Sequence, residues 1–320
     1  MNPPVTSSPS YNQRRIGTLN ALQLSLGLLS VDELLLLAQQ ADSLYRVAKS
    51  LTKPDGSIRN TYDALAPLKA IHRRIKSRIL DHVTYPDYLT GSLKGSDYKV
   101  NATLHTNARI VINEDISSFF PSTSAKHIFD IWHGLFGFSP EVSQCLTKLT
   151  TRRGELPQGA ITSSFLANLI FWQDEPTLHA KFAAQGLVYS RYVDDIAVSS
   201  KTFLSNQEKS EVIRQIYGML LKYGYQPKRA KHEISTSGTR MEVTKLSVNA
   251  KPGLRKEMYC NTRAAVHEIE LRIKNGEELS FERGPYANVM GRVLHLERFH
   301  PGKAAPLKKR LLALKKGTKT

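Results

Sequence analysis

The segment Tyr192-Val193-Asp194-Asp195 constrains this chain more than any other. Two β-prone runs, Leu187 to Val193 and Ile196 to Ser199, flank its adjacent carboxylates. Paired aspartates disfavour a strand interior and suit a tight turn, which predicts a hairpin with acids at its tip. Like charges side by side are costly unless water or a cation compensates them. Mg²⁺ is suited to that task, since it takes carboxylate oxygens and keeps positions open for phosphate. An isolated Asp-Asp is more often a solvated turn. Here a third acid keeps similar company: an apolar run from Arg109 ends at Asp115 and is followed by Phe119 and Phe120. If those strands are neighbours, Asp115, Asp194 and Asp195 form a ligand set for two metal ions about 3.5–4 Å apart. Glu114 points to the opposite strand face and is not expected to be a ligand.

The chain of 320 residues is long enough for two or three packed subdomains. Its 45 lysines and arginines against 28 acids give a net charge of +17, which argues for a polyanionic partner. The longest apolar run, near Leu34 to Ala38, is flanked by Asp32, Glu33 and Gln39, so no segment is expected to span a bilayer. The N-terminus has no apolar signal core. Cys145 and Cys260 make neither a disulfide framework nor a zinc site and are read as reduced thiols of a cytoplasmic protein.

Residues 1–15 read as a flexible arm. Ser30 with Glu33 starts a helix expected to reach Leu44. A turn from Lys53 to Arg59 follows a β-prone segment. Leu68, Ile71, Ile75 and Ile79 mark a helix whose other face is basic, either solvated or lining a nucleic-acid channel. Residues 88–97 are loop. Helices are expected over Ala125 to Phe136 and Pro140 to Thr150, and as one long helix from Thr162 to Ala184, bent at Pro176. Ser205 to Tyr223 is helical, Lys228 to Lys231 a basic turn, and Met241 to Asn249 alternates as a strand. Beyond Pro252-Gly253 lie helices broken at Asn275-Gly276 and Gly284-Pro285. The last 20 residues hold seven Lys or Arg and no acid, which suits contact with a phosphate backbone. The order of elements predicts an α+β fold.

Taken together the motifs resemble a reverse transcriptase. Asp115 with Phe119-Phe120 resembles polymerase motif A, Leu156 to Gly159 motif B, Tyr192 to Asp195 motif C, Gly224 to Lys231 motif D, and Leu246 to Asn249 the primer-grip hairpin. Retron reverse transcriptases are the nearest likeness, because Asn101-Ala-Thr-Leu-His105 matches their Asn-Ala-x-x-His element. Their Val-Thr-Gly element stands here as Val243-Thr244-Lys245, and Ile161 and Ser164 replace two prolines usual around motif B.

The resemblance implies a right-hand polymerase: an N-terminal arm and helix over 1–47, fingers and palm (antiparallel sheet plus helices) over 48–249, and a basic helical thumb over 250–320. It implies that Asp115, Asp194 and Asp195 hold two Mg²⁺ ions, with Mn²⁺ as a substitute, while Lys231 protonates the leaving pyrophosphate. Lys53 and Arg59 would contact the dNTP triphosphate, Gln158 and Gly159 would lie along the nucleotide, and Phe120 would exclude a ribose 2′-hydroxyl. Asn101, His105, Lys245, Lys308, Lys309 and Arg310 are the expected RNA contacts. The implied partners are a structured non-coding RNA, its DNA product and a defence effector protein. Another bacterial reverse transcriptase, of the diversity-generating or non-retron defence type, and a non-catalytic RNA-binding scaffold with the same fold are the alternatives.

Overall fold

The computed structural model describes residues 8–52 and 56–317, so Lys53 lies outside the described residues. Ser8 onward is held in place, unlike the flexible arm expected there. Strand β1 (Ser10–Tyr11) is paired, and the Tyr11 ring packs 4.6 Å from Phe136 and 5.7 Å from Phe138. Helices α1 (Leu19–Leu26) and α2 (Val31–Gln40) follow. Ser30 Oγ caps α2 by accepting from the Glu33 amide at 3.1 Å. The helix stops four residues short of Leu44, which ends a 3-10 turn over Ala41–Leu44.

Strands β2 (Tyr45–Thr52) and β3 (Ile58–Ala64) form an antiparallel ladder, interrupted by a register shift between Val47 and Lys49. Helix α3 (Ala66–Arg78) buries Leu68, Ile71 and Ile75 as its periodicity predicts. Much of its basic face is paired within the protein. Arg74 donates to the Leu26 and Gly27 carbonyls at 2.9 and 3.0 Å, and Arg78 to the Ser25 carbonyl at 2.7 Å, satisfying the carbonyl end of α1. Lys69 pairs with Asp63 and Lys76 with Asp81. Strand β4 (Val83–Thr84) pairs antiparallel with β1.

The central unit contains α4 (Tyr98–Leu104), β5 (Ile110–Asp115), α5 (Phe119–Ser122), α6 (Ala125–Asp130) and α7 (Pro140–Thr150). A π-helical turn, Ile131–Leu135, continues α6. Next come α8 (Ser163–Asn168), α9 (Glu175–Ala184), β6 (Leu187–Tyr192), β7 (Asp195–Ser200), α10 (Asn206–Lys222) and β8 (Glu233–Thr236). The expected long helix is thus two. Pro176 does not bend it but sits in the first turn of α9, where a missing N–H has no intrahelical partner to lose. The break places Phe171 against Phe119, Tyr223 and Tyr225.

The sheet order is β6-β7-β5-β8, all antiparallel. Strand alternation sends Ile112, Ile196 and Val198 into the main core, and Val111 and Ala197 into a smaller cluster on the other face. That second face meets Ala102 of α4 and a hairpin of β9 (Glu242–Val243) and β10 (Leu246–Ser247). The hairpin replaces the single strand expected over Met241 to Asn249, because Thr244 and Lys245 both take positive φ, 47° and 65°.

Helices α11 (Lys256–Lys274), α12 (Pro285–Glu297) and α13 (Pro301–Gly317) pack around their own core of Val266, Ile269, Tyr286, Val293, Leu296 and Leu311. Among the described residues no single helix is long and apolar enough to cross a membrane.

The loop over residues 88–97 runs beside β6. The Arg191 amide donates to the Tyr88 carbonyl at 2.8 Å and the Thr90 amide to the Arg191 carbonyl at 3.0 Å. Close approach needs glycine at Gly91, where a Cβ would stand 2.5 Å from Val193 Cγ2 and 2.7 Å from the Val193 nitrogen. Gly91→Ala is therefore expected to destabilise the protein by about 1–3 kcal/mol, by displacing the β6–β7 turn. Urea denaturation beside the unaltered protein checks this, and an unchanged midpoint would show that the loop yields instead.

Candidate active site

Register brings the three acids together. Asp115, the last residue of β5, pairs directly with Asp195, the first of β7. Residues opposite each other in a ladder share a face, so both carboxylates lie on the side of α4 and the β9–β10 hairpin. Asp194 occupies the two-residue turn with Val193, and its carbonyl accepts from the Ile116 amide at 3.0 Å. Val193 has φ of 60°, a conformation disfavoured for a β-branched residue.

A buried ion pair holds that turn in place. The Arg191 guanidinium, fully buried, donates through Nε to Glu175 Oε1 at 2.6 Å and through Nη2 to Glu175 Oε2 at 2.7 Å. Its Nη1 donates to the Val193 carbonyl at 3.0 Å, and Nη2 also to the Asn168 carbonyl at 2.9 Å. Tyr189 Oη donates to Glu175 Oε1 at 2.6 Å. Sequence reasoning assigned none of these residues a role. The available signal was an arginine inside an apolar strand that faces helices, where a charge needs a partner.

Asn101 and His105 are each 1% exposed, which corrects the RNA contact expected of them. His105 bonds Ser199 Oγ through Nδ1 at 2.8 Å and Ser190 Oγ through Nε2 at 2.7 Å. Burial lowers its pKa to about 4, so the ring is neutral. Asn101 Oδ1 accepts from Thr90 and Ser190, both at 2.7 Å. The pair fastens α4 to the face of β6 and β7 that carries the acids.

Burial raises the pKa of Asp194, with Asp115 adding to the effect, and pushes Asp195 up to about 7, with Asp194 and Asp115 adding their repulsion. Lys231 Nζ bonds Asp115 Oδ2. Burial opposes the charge on Lys231, but Asp115 and the other two acids outweigh it and raise its pKa. Glu114 faces away from the acids and bonds His232 Nδ1 at 2.6 Å and Tyr217 Oη at 3.0 Å. Three hard oxygen donors brought together, with burial disfavouring the charged forms of Asp194 and Asp195, are chemically suited to a divalent cation. Among the described residues no three such side chains already stand at closed metal-site spacing, and Lys231 occupies Asp115.

Two clefts flank the acids. One, of about 420 Å³, runs between β3 and the acids and is lined by Arg59, Phe120, Gln158, Asp115, Asp194 and Lys231 among others. Arg59 Nε donates to Gln158 Oε1 at 2.9 Å, and the Tyr62 amide to the Gln158 carbonyl at 2.7 Å. Gly159 has φ of 104°, and a Cβ there would stand 2.9 Å from the Tyr62 carbonyl oxygen. Its close approach is thus to β3, rather than to the nucleotide as expected. Phe119 is core, 5.2 Å from Tyr225, whereas Phe120 is half-buried at the cleft. The second cleft, of about 680 Å³, is lined by the acids, Lys245 and Arg255.

A sequence profile of the family described as reverse transcriptase (RNA-dependent DNA polymerase) matches residues 51–263. Retron Se72 reverse transcriptase of Salmonella heidelberg is 36% identical over 255 residues, 78% of this chain and 67% of that protein. The chain belongs to the retron-type reverse transcriptases. Two Escherichia coli relatives, Retron Ec86 and Retron Ec48 reverse transcriptases, are each 31% identical, covering 75% and 96% of this chain and 75% and 78% of their own. The retron reverse transcriptase is thus an RNA-directed DNA polymerase of α+β architecture, from a family that acts on nucleic acid and depends on divalent metal.

Of the outer RNA contacts expected for this reverse transcriptase, Lys245 is exposed at the β9–β10 turn and Lys309 is exposed on α13. Lys308 and Arg310 differ. Lys308 Nζ pairs with Glu297 at 2.7 Å, and Arg310 Nε donates to Glu270 Oε1 at 2.7 Å, tying α13 to α12 and α11. Their charges are already compensated within the helical unit.

Glu175→Gln leaves Arg191 charged and buried without a counter-ion, so we expect a loss of about 3–5 kcal/mol by urea denaturation. A loss below about 1 kcal/mol would show that the carbonyl acceptors alone hold the arginine. A second prediction concerns pH. A carboxyl pKa raised on folding stabilises the protein fully below the unfolded value of about 4, and that contribution is lost as pH rises through the folded value. With chelator present, the melting temperature should therefore fall between about pH 4 and about pH 7. Asp195→Asn should flatten this fall and melt higher than the unaltered protein at about pH 8, its stability there being greater by on the order of 1 kcal/mol. Equal melting curves for the two proteins across that range would contradict the assignment.

Proposed function

We infer that this reverse transcriptase copies a dedicated structured non-coding RNA into DNA that stays joined to that RNA, starting from an internal 2′-hydroxyl. The observation that carries the catalytic part is the β5–β7 register, which sets Asp115 opposite Asp195 beside Asp194. The retron-specific part is supported by likeness to proteins named as retron reverse transcriptases.

A primer hydroxyl attacks the α-phosphorus of a dNTP. A new P–O bond forms, the bond to the bridging oxygen breaks, and pyrophosphate leaves. Asp115 and Asp194 would hold Mg²⁺, with Asp195 as the less direct third carboxylate; the ions, or Mn²⁺ in their place, would neutralise charge developing on the phosphoryl oxygens. Lys231 carries its proton at neutral pH and would give it to the pyrophosphate. Once it does so, its bond to Asp115 must have been released.

Arg59 binds the triphosphate through its guanidinium fork, with Lys53 assisting. Gln158 lies along the nucleotide, with Gly159 letting its loop dock closely on β3, and Phe120 packs under the sugar where a 2′-hydroxyl would clash. Lys245 and Lys309 contact RNA phosphates. Asn101 and His105 serve the RNA only through the shape of the palm. The setting we assign is cytoplasmic antiphage defence alongside an effector protein.

The test is to express the protein with its flanking genomic DNA, purify it, and recover the nucleic acid that accompanies it. An Asp194→Ala protein is treated in parallel. RNase, DNase and debranching enzyme should reveal short DNA joined to RNA through a debranchable link, absent from the variant. RNA alone in both preparations would overturn the retron reading.

A further inference from the structure

Arg152 differs from the arginines already described. Arg191, Arg74, Arg78 and Arg310 all donate to carbonyl or carboxylate oxygens. The Arg152 guanidinium instead lies over the Tyr62 ring, 4.2 Å from its centroid, and its Nε is buried with no hydrogen-bond partner. Among the described residues it makes no ion pair, although Glu155 lines the same cleft.

Its backbone is nevertheless fixed. Arg152 and Glu155 exchange amide-to-carbonyl bonds of 2.8 and 3.0 Å around a turn in which Arg153 and Gly154 have φ of 51° and 79°. The Arg153 amide donates to Asp42 Oδ1 at 2.7 Å, and the Ala125 amide to the Gly154 carbonyl at 2.7 Å. Tyr62 is fixed as well, by the bond from its amide to Gln158. A guanidinium stacked on an aromatic face keeps its edge donors free for a planar pair of acceptors. This one lines the cleft that also holds Arg59, Gln158, Phe120 and the acids.

We propose that Arg152, stacked on Tyr62, is a phosphate-binding residue on the β3 side of the nucleotide cleft. The ligand chemistry is a phosphate oxyanion that accepts two parallel N–H donors. It comes from the triphosphate of the incoming nucleotide or from a phosphodiester of the template strand where it passes β3. The proposal rests on the polymerase part of the proposed function and is independent of which RNA is copied or how it is primed.

Arg152→Gln and the unaltered protein are compared on a generic RNA template with an annealed DNA primer. The KM for dTTP is measured by extension, and the template–primer Kd by fluorescence anisotropy without nucleotide. A triphosphate contact raises the KM about tenfold and leaves the Kd unchanged. A template contact weakens the Kd about tenfold and reduces the slope of log K against log salt by about one. If both constants are unchanged, or only the melting temperature falls, Arg152 is structural and the proposal is overturned. A second measurement uses the unaltered protein and needs neither a folded variant nor turnover. Phenylglyoxal labelling of Arg152, read by mass spectrometry, should be suppressed by dTTP or by template–primer, and labelling equal with and without both overturns the proposal. An unaltered protein that protects Arg152 yet makes no RNA-linked DNA in cells would separate this inference from failure of the retron reading.

Discussion

The buried Arg191–Glu175 pair is the interaction on which the centre of this molecule depends. Burying an ion pair is costly, and replacing one by apolar residues often costs nothing. Here the arginine has a second task that an apolar side chain could not perform. Its remaining donor reaches the Val193 carbonyl, in a turn whose backbone is unfavourable for valine. Gly91 closes on the same residue from another direction. The pair of acids at the turn is thus held by an ion pair on one face of the sheet and presented on the other. That separation keeps the Arg191 guanidinium away from the carboxylates whose turn it holds.

The acids were the most legible part of the sequence, because alternating apolar strands ending in aspartate have few other readings. Their convergence rests on strand pairing, which the motif order alone implied. The role of Asn101 and His105 was misjudged for a physical reason. A short polar motif ahead of a strand looks the same whether it meets RNA or sheet hydroxyls, and the deciding partners, Ser190 and Ser199, lie 85 or more positions away. The basic face of α3 was ambiguous in the same way, since the acceptors of Arg74 and Arg78 are carbonyls that any sequence supplies. The position of the β9–β10 turn was hidden because Thr244 and Lys245 are not residues that announce positive φ.

Net charge also reads differently once side chains are placed. The chain carries +17, and that excess remains available to a polyanion. Where it is available is less obvious from the sequence. The basic run near the C-terminus is partly consumed by Glu297 and Glu270, which bind the three last helices to one another. Arg59, Arg152, Lys228 and Lys245, which form no ion pair among the described residues, line the clefts beside the acids, where a polyanion has room to approach.

Gln158 joins the strand β3 to the loop before α8 through two bonds, one from the Tyr62 amide and one from Arg59 Nε. Only the second involves a group that the proposed reading assigns to phosphate. On that reading Arg59 would keep its Nε on Gln158 and turn its Nη donors to phosphate, while the backbone bond holds β3 docked. Phosphate would then meet an arginine already fixed in place, and little side-chain freedom would be lost on binding.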